Sequence, residues 1–393
     1  MTNFLLLSRS NWHTTAELVY WGSLALLFYV YIGYPLFLAA ISLFAHSRRA
    51  AVGFEPSLSI LISAFNEEAH IHEKVQRTLG LDYPRNKFEV LVVSDGSTDG
   101  TEDIVRRFAD PRVRLLRTSR RGGKTNAQNE GVKACNGDVI VFSDATTVYH
   151  SQALRYLAAN YRDPKIGAVS GCYQYFDESG MSPTGVGTIV FWSYENSIKR
   201  LQSSISTITG CCGCIYSVRK SAYTELAADI ISDLVQPLHA IRKGYRVAFE
   251  DRALAYESTT QTSREEFSMR VRVITRAIRG ILSVRHLLYP WKHPWISFQL
   301  ISHKVLRWFV AFYLLALLAS NALLLDQVGF RATFILQLGF YSLAVLSLVV
   351  PLHRLSRLLC VPLYFCTLNV AAVVSVVEVL RGRRYVVWQT IRS

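Results

Sequence analysis

The chain has 393 residues, half of them hydrophobic, a mean hydropathy of +0.20 and a formal charge of +14. That length leaves room for one soluble domain of ordinary size plus several membrane spans, and the apolar excess at the two ends excludes a wholly soluble chain. The basic excess requires no nucleic-acid partner, because much of it lies beside apolar segments, where anionic lipid headgroups are met at roughly 1 kcal/mol per basic residue.

The first segment, Leu18 to Phe44, carries no charged side chain. It exceeds the roughly 20 apolar residues that a spanning helix needs, and its length and flanks are wrong for a cleaved signal peptide. It reads as an anchor within an amino-terminal segment, residues 1–50. Arg48 and Arg49 follow it directly, which by the positive-inside rule puts the next domain in the cytoplasm.

A domain over residues 51–262 then alternates short apolar runs with helical patterns. Leu58 to Ile62, Glu89 to Val93, Val113 to Leu116 and Val139 to Phe142 read as strands. Glu67 to Leu79 and Asp99 to Phe108 read as the helices between them. This alternation predicts βαβ crossovers and an α/β fold with a mainly parallel sheet. Asp95 closes Phe88-Glu-Val-Leu-Val-Val-Ser-Asp95, Asp144 closes Asp138-Val-Ile-Val-Phe-Ser-Asp144, and Asp233 lies in Ile230-Ile-Ser-Asp233. Ligands of open α/β sheets bind outside the carboxyl ends of the strands, so the first two carboxylates are on the ligand side. Asp is equally a common turn residue, and Asp233 is also placed to cap the helix after it.

Seven cysteines, Cys135, Cys172, Cys211, Cys212, Cys214, Cys360 and Cys366, give an odd count that argues for reduced thiols. Cys211 and Cys214 have ligand spacing, but a structural zinc site needs four ligands and no second pair is near. Thr209-Gly-Cys-Cys-Gly-Cys214 reads as a tight turn of small residues.

Residues 263–302 are basic, amphipathic and interfacial. Arg272, Arg276 and Arg279 fall on one helical face, to clamp phosphate or to meet headgroups, and Pro290-Trp-Lys-His-Pro-Trp-Ile296 reads as an interfacial element. Within residues 303–393, Phe309 to Leu325, Ala332 to Leu352 and Leu358 to Val377 lack charge, giving about three carboxy-terminal spans. A conflict follows. Three full spans after a cytoplasmic domain would leave the basic tail from Arg381 to Arg392 outside, against the positive-inside rule, unless one segment is re-entrant or interfacial.

The order Ser63-Ala-Phe65-Asn-Glu67, Ser94-Asp-Gly-Ser-Thr-Asp99, Arg121-Gly-Gly-Lys124 and Ser143-Asp-Ala-Thr146 resembles the family 2 inverting glycosyltransferases. More narrowly it resembles the membrane-embedded group of hyaluronan, cellulose and chitin-oligosaccharide synthases, over residues of about 55 to 285. The resemblance implies a GT-A nucleotide-sugar-binding fold flanked by transmembrane helices. It implies nucleotide-sugar contacts from Phe65, Glu67, Asp95, Lys124, Asp144 and Arg272, and an acceptor-facing segment at Gly210, Cys211 and Gly213. Asp144 matches the first Asp of the family's Asp-x-Asp motif, whose third position is Thr146 here. One carboxylate with diphosphate oxygens and water can hold Mg²⁺ or Mn²⁺, so Asp144 is the expected metal ligand. Asp233 matches the family's acidic motif and is the expected general base, needed to take the acceptor hydroxyl's proton.

Met269-Arg-Val-Arg272-Val273 stands where polymer synthases carry Gln-x-x-Arg-Trp. Arg272 keeps the diphosphate-binding arginine. Loss of the tryptophan points to addition of one or a few sugars, and only a homo-oligomer would supply the wall of a wide polysaccharide channel. The expected function is transfer from a nucleotide-sugar donor, a UDP-sugar foremost, to a glycan or lipid-linked acceptor at the cytoplasmic face of the cell membrane, with membrane lipid as a further partner. A processive, secreting synthase is the alternative within the class. A nucleotidyltransferase would not need a base such as Asp233, and a transporter with a regulatory nucleotide-binding domain would place ionisable groups within its spans.

Overall fold

The structure, a computed structural model, describes residues 2–45, 49–176, 183–258, 262–350, 352 and 356–387. Arg48 and the end of the tail, residues 388–393, lie outside the described residues.

Two stacked helices, α1 (Thr2–Phe28) and α2 (Tyr34–Ser42), run on through a π-helical turn as one apolar rod. The elements of the α/β domain follow in the order β1 (Leu58–Ala64), α3 (Ile71–Leu79), β2 (Phe88–Ser94), α4 (Thr101–Arg106), β3 (Val113–Arg117), α5 (Lys124–Ala134), β4 (Val139–Asp144), β5 (Val148–Tyr149) and α6 (Ala153–Ala159). Next come β6 (Ile166–Phe176), α7 (Pro183–Ile205), β7 (Ile215–Arg219), α8 (Ser232–Arg242), β8 (Arg246–Ser258) and α9 (Ser263–Ser283). The chain continues through α10 (Pro294–Leu300), α11 (Leu306–Trp308), α12 (Val310–Ala322), α13 (Val328–Val349) and α14 (Val361–Leu380).

The eight strands form one sheet, ordered β3-β2-β1-β4-β7-β6-β8-β5. The expected strands are all present, each slightly longer than its apolar run. Pairings β3-β2-β1-β4 are parallel throughout. The far half is mixed, because β7 runs antiparallel to both β4 and β6 while β8 runs parallel to β6. Every residue of β1 is buried, which is what helices on both faces of a parallel sheet demand. Leu58, Ile60 and Ile62 meet Ile71 and Val75 of α3 on one face. Leu61 turns the other way, toward Ala127 and Val132 of α5. Gly131 allows that close approach: a Cβ there would lie 2.6 Å from Leu61 Cδ1. Parallel order 3-2-1-4 opens a crevice where the carboxyl ends of β1 and β4 diverge, and in register Ser63 lies opposite Asp144.

The first rod joins two distant places. Its outer part meets the α12–α13 corner, where Ala16 and Tyr20 cluster with Leu324 and Phe330 and Gln327 Nε2 donates to Glu17 Oε1 at 2.9 Å. Its inner part meets the α/β domain, where Tyr34 and Leu38 pack with Ile198 of α7. Among the described residues three helices are long and apolar enough to cross a membrane, Trp12–Ser42, Val328–Val349 and Leu358–Leu380, and a fourth candidate is the pair Pro294–Trp308 and Val310–Ala322, bent by 57°.

The last of these helices is placed unlike the others. Near its start, Tyr364 Oη accepts from Arg270 Nη2 of α9 at 2.8 Å; farther on, Ser375 Oγ donates to the Val271 carbonyl at 3.1 Å. Beyond its end, Arg384 lies 3.7 Å from Asp229, and the Val386 backbone packs against Gly123. Thus α14 lies along α9, and the described part of the tail returns to the α/β domain.

Candidate active site

The loops after β1 and β2 are built as one unit. Asn66 adopts φ 53°, and its Oδ1 accepts from the Thr98 amide at 2.9 Å; the Glu67 amide donates to Thr101 Oγ1 at 2.8 Å. Asp95 is fully buried and accepts from the Gly122 and Gly123 amides, each at 2.8 Å. Its carboxylate therefore fastens the loop that leads into α5 and is not among the residues lining the cleft. On that loop the Arg121 guanidinium stacks 3.6 Å above the Phe65 ring.

The cleft at this carboxyl edge encloses about 340 Å³. Glu67, Lys124, Asp144, Gly213, Asp233 and Arg272 all line it, so residues far apart in the chain share one space. Lys124, first residue of α5, pairs through Nζ with Asp144 at the end of β4. Burial lowers the Lys124 pKa, but Asp144 and Asp233 more than reverse this and hold it above the ordinary lysine value. Beneath, buried Lys74 donates to the Thr147 carbonyl at 2.6 Å. Burial pushes its pKa down to about 8, against the pull of Asp144, Cys214 and Glu257.

Asp233 sits in the first turn of α8, where its carbonyl accepts from the Cys211 amide at 2.8 Å. Gly213 brings the turn's backbone against it, since a Cβ there would lie 2.6 Å from Asp233 Oδ2. Asp233 Oδ1 is shielded from solvent and has no hydrogen-bond partner among the described residues. Burial raises its pKa above the ordinary carboxylate value, opposed by Lys124, Lys199 and Arg276. A shielded carboxylate with a raised pKa and an open lone pair is the arrangement that a proton acceptor needs.

The three arginines of α9 do different work. Arg272 lines the cleft and makes no hydrogen bond or ion pair among the described residues; burial alone moves its pKa down. Arg276 Nη2 donates to Thr125 Oγ1 at 2.8 Å and to the Ile230 carbonyl at 2.7 Å. Arg279 pairs with Asp229 at 3.2 Å. Both Arg276 and Arg279 thus face the catalytic domain, and neither is turned outward toward headgroups.

Several cleft residues carry no sequence signal. Glu257, at the end of β8, accepts from Thr146 Oγ1 at 3.0 Å and from Tyr173 Oη. Trp192 of α7 also lines the cleft. These come from strands and helices far along the chain, and only the register of β8 on β6, with Tyr173 opposite Ala255, brings them in.

A second hollow of about 210 Å³ adjoins the first and shares Trp192, Ile231, Asp233, Arg270 and Val273 with it. Gly210 and Cys211 line this second hollow, and Gly213 the first. Val273 therefore stands between the two spaces.

For a divalent cation, Asp144 and Thr146 supply hard oxygen donors of the kind Mg²⁺ and Mn²⁺ take. Among the described residues no three His, Cys, Asp or Glu side chains gather at one point. The donor set fits an ion completed by diphosphate and water oxygens.

Residues 59–227 match the family model described as glycosyl transferase family 2. A poly-β-1,6-N-acetyl-D-glucosamine synthase of Staphylococcus epidermidis is 29% identical over 225 residues, covering 55% of this chain and 53% of that protein. The match thus spans about half the length of that relative. A probable glycosyltransferase, YdaM of Bacillus subtilis, is 27% identical over 311 residues, 73% of this chain and 72% of the relative. Among solved structures, a mannosyltransferase of Pyrobaculum calidifontis, solved with GDP-Man and Mn²⁺, aligns with a TM-score of 0.69 and 20% identity over 93% of this chain and 100% of that one. The fold is the same.

Replacing Asp233 with Asn keeps the shape and removes the ionisable carboxylate. Asp233→Asn is expected to leave nucleotide affinity within a few-fold of the parent and to lower turnover roughly 100-fold or more. Stopped assays at saturating donor, beside equilibrium nucleotide binding, check this; lost affinity with normal turnover would refute the role.

Proposed function

We propose, for a chain that carries a glycosyl transferase family 2 domain and is a glycosyltransferase, that it moves a sugar with inversion from a nucleoside-diphosphate donor to a glycan or lipid-linked acceptor at the membrane. The observation that carries this reading is the place of Asp233, where the polar cleft meets the apolar hollow, with Oδ1 unpartnered among the described residues. The donor occupies the first space and the acceptor reaches Asp233 from the second.

Glu67 and Phe65 form the base and ribose side, and Asp95 acts by holding the Gly122–Gly123 loop. Lys124 and Arg272 supply positive charge to the departing diphosphate. Asp144, with Thr146 beside it, would hold Mg²⁺ or Mn²⁺, which supplies further charge neutralisation at the diphosphate when bound. The Pyrobaculum mannosyltransferase was solved with a nucleotide sugar and Mn²⁺, which supports the same chemistry here. Asp233 takes the proton of the attacking hydroxyl. We favour a UDP-sugar donor, and addition of one or a few sugars because Val273 stands where the polymer synthases carry tryptophan. A second reading, processive polymer synthesis, is supported by the name of the Staphylococcus relative.

Release of nucleoside diphosphate by purified protein, screened across UDP- and GDP-sugars, tests the reaction. One donor is expected to turn over, and excess EDTA to abolish the activity. Thr146→Ala is expected to cost far less than Asp144→Ala. No turnover of any donor, or full activity in EDTA, would count against the proposal.

The packing supports one membrane arrangement. We read the rod Trp12–Ser42, the α12 segment and α13 as the crossings, and α14 as a helix lying against the catalytic domain on the cytoplasmic side. The basic tail then agrees with the positive-inside rule. In cells, a cysteine at Asp326 should react with a membrane-impermeant maleimide from outside, and one at Arg384 only after permeabilisation. Labelling of the Arg384 position in intact cells would overturn this arrangement.

A further inference from the structure

The second hollow contains an imbalance of charge that its protein partners do not remove. Glu195 of α7 receives three basic side chains: His303 Nε2 at 3.1 Å, Lys304 Nζ at 3.2 Å, and Arg307 Nη1. Lys199, one turn along α7, is buried and lies 3.0 Å from Cys212 Sγ. Even with His303 neutral, Lys199, Lys304 and Arg307 outnumber the two carboxylates of the lining, Glu195 and Asp233. Charge buried without its counter-ion is costly, so a missing anion is the simplest completion.

Much of the remaining lining is apolar, with Tyr31, Asn369 and Arg270 as further polar groups. Ile274 of α9, Trp308 of α11, and Leu368 and Ala372 of α14 supply a largely apolar wall. Trp192 Nε1, shielded and without a partner among the described residues, is an additional donor at the junction with the first cleft. A free oligosaccharide would call for a lining dense in hydrogen-bonding groups, whereas an apolar pocket with a few convergent charges suits an amphipathic anion. Asp233 lines both spaces, whereas Lys199, Lys304 and Arg307 line only the second.

We infer that this hollow is the acceptor site and that the acceptor is a phosphoglycolipid, a sugar joined through phosphate or diphosphate to a hydrocarbon chain. This rests on the glycosyltransferase reading given above. The sugar hydroxyl lies at Asp233, the phosphate among Lys199, Lys304 and Arg307, and the chain along Trp308 and Leu368. In the transfer, the acceptor oxygen forms a bond to the donor's anomeric carbon as the bond from that carbon to the diphosphate oxygen breaks. The electron pair leaves on the nucleoside diphosphate, and the hydroxyl proton goes to Asp233.

The test is binding to full-length protein in neutral detergent, with no donor present, using dodecyl phosphate, dodecyl maltoside and inorganic phosphate as probes. Dodecyl phosphate is expected to bind about tenfold or more tighter than either of the others, the scale of one charge-assisted hydrogen bond formed in an apolar site. Joint replacement Lys199→Gln and Lys304→Gln is expected to remove that preference. Leu368→Trp, which fills the hollow without touching its charges, should block dodecyl phosphate while UDP and GDP binding in the first cleft is kept. Equal affinity for dodecyl maltoside, equal affinity for inorganic phosphate, or indifference to Leu368→Trp would each overturn the inference. Donor hydrolysis to nucleoside diphosphate, measured separately, reports on the glycosyltransferase reading alone.

Discussion

Arg276 is the group through which the two halves of the site are held together. Its guanidinium, on α9, donates to Thr125 at the start of α5 and to the Ala228 and Ile230 carbonyls just before α8. Thr125 Oγ1 in turn donates to the same Ile230 carbonyl at 2.8 Å. Hydrogen bonds to a charged group contribute roughly 1.5–3 kcal/mol each, and those of Arg276 fix the start of α5, the segment bearing Asp233 and α9 to one another. Burial pushes Arg276 down to about 10, so it remains a cation at neutral pH and the clamp does not titrate away.

This coupling explains why a helix as apolar as α14 stays beside the domain. Its partner α9 is already pinned to the catalytic loops, and Arg270 is pinned in turn, bonded to Glu266 at 2.7 Å and to Tyr364 at 2.8 Å. Helices α9 and α14 are therefore walls of the second hollow as well as packing partners of each other. A soluble domain with a separate anchor would leave Asp233 facing water on that side.

Most of the parallel half of the sheet was legible because β1, β2 and β4 are buried on both faces and so read as nearly continuous apolar runs that end in turn residues. Asp95 and Asp144 were legible as strand ends, but their orientations were not. Whether a carboxylate turns into the cleft, as Asp144 does, or back onto backbone amides, as Asp95 does, depends on a loop 27 residues away in sequence. Antiparallel β7 escaped the βαβ pattern because its reversal follows α7, a long helix that also packs on α2. Glu257, Trp192 and Lys199 have no local signature; each enters the site through long-range packing. For α14, length and hydropathy describe a span, and only the hydrogen bonds of Tyr364 and Ser375 to α9 show where it lies.

The central claim is that Asp233 is the group whose ionisation controls transfer. Burial raises its pKa, so its proton-accepting form is present above that raised value and is lost as pH falls through it. The most direct measurement is the pH dependence of kcat at saturating donor and acceptor. A single acid limb with a midpoint clearly above the ordinary carboxylate value of 3.8, absent from the residual rate of Asp233→Asn, is the predicted result. A rate that stays flat down to that ordinary value, or an acid limb unchanged in the variant, would contradict the account.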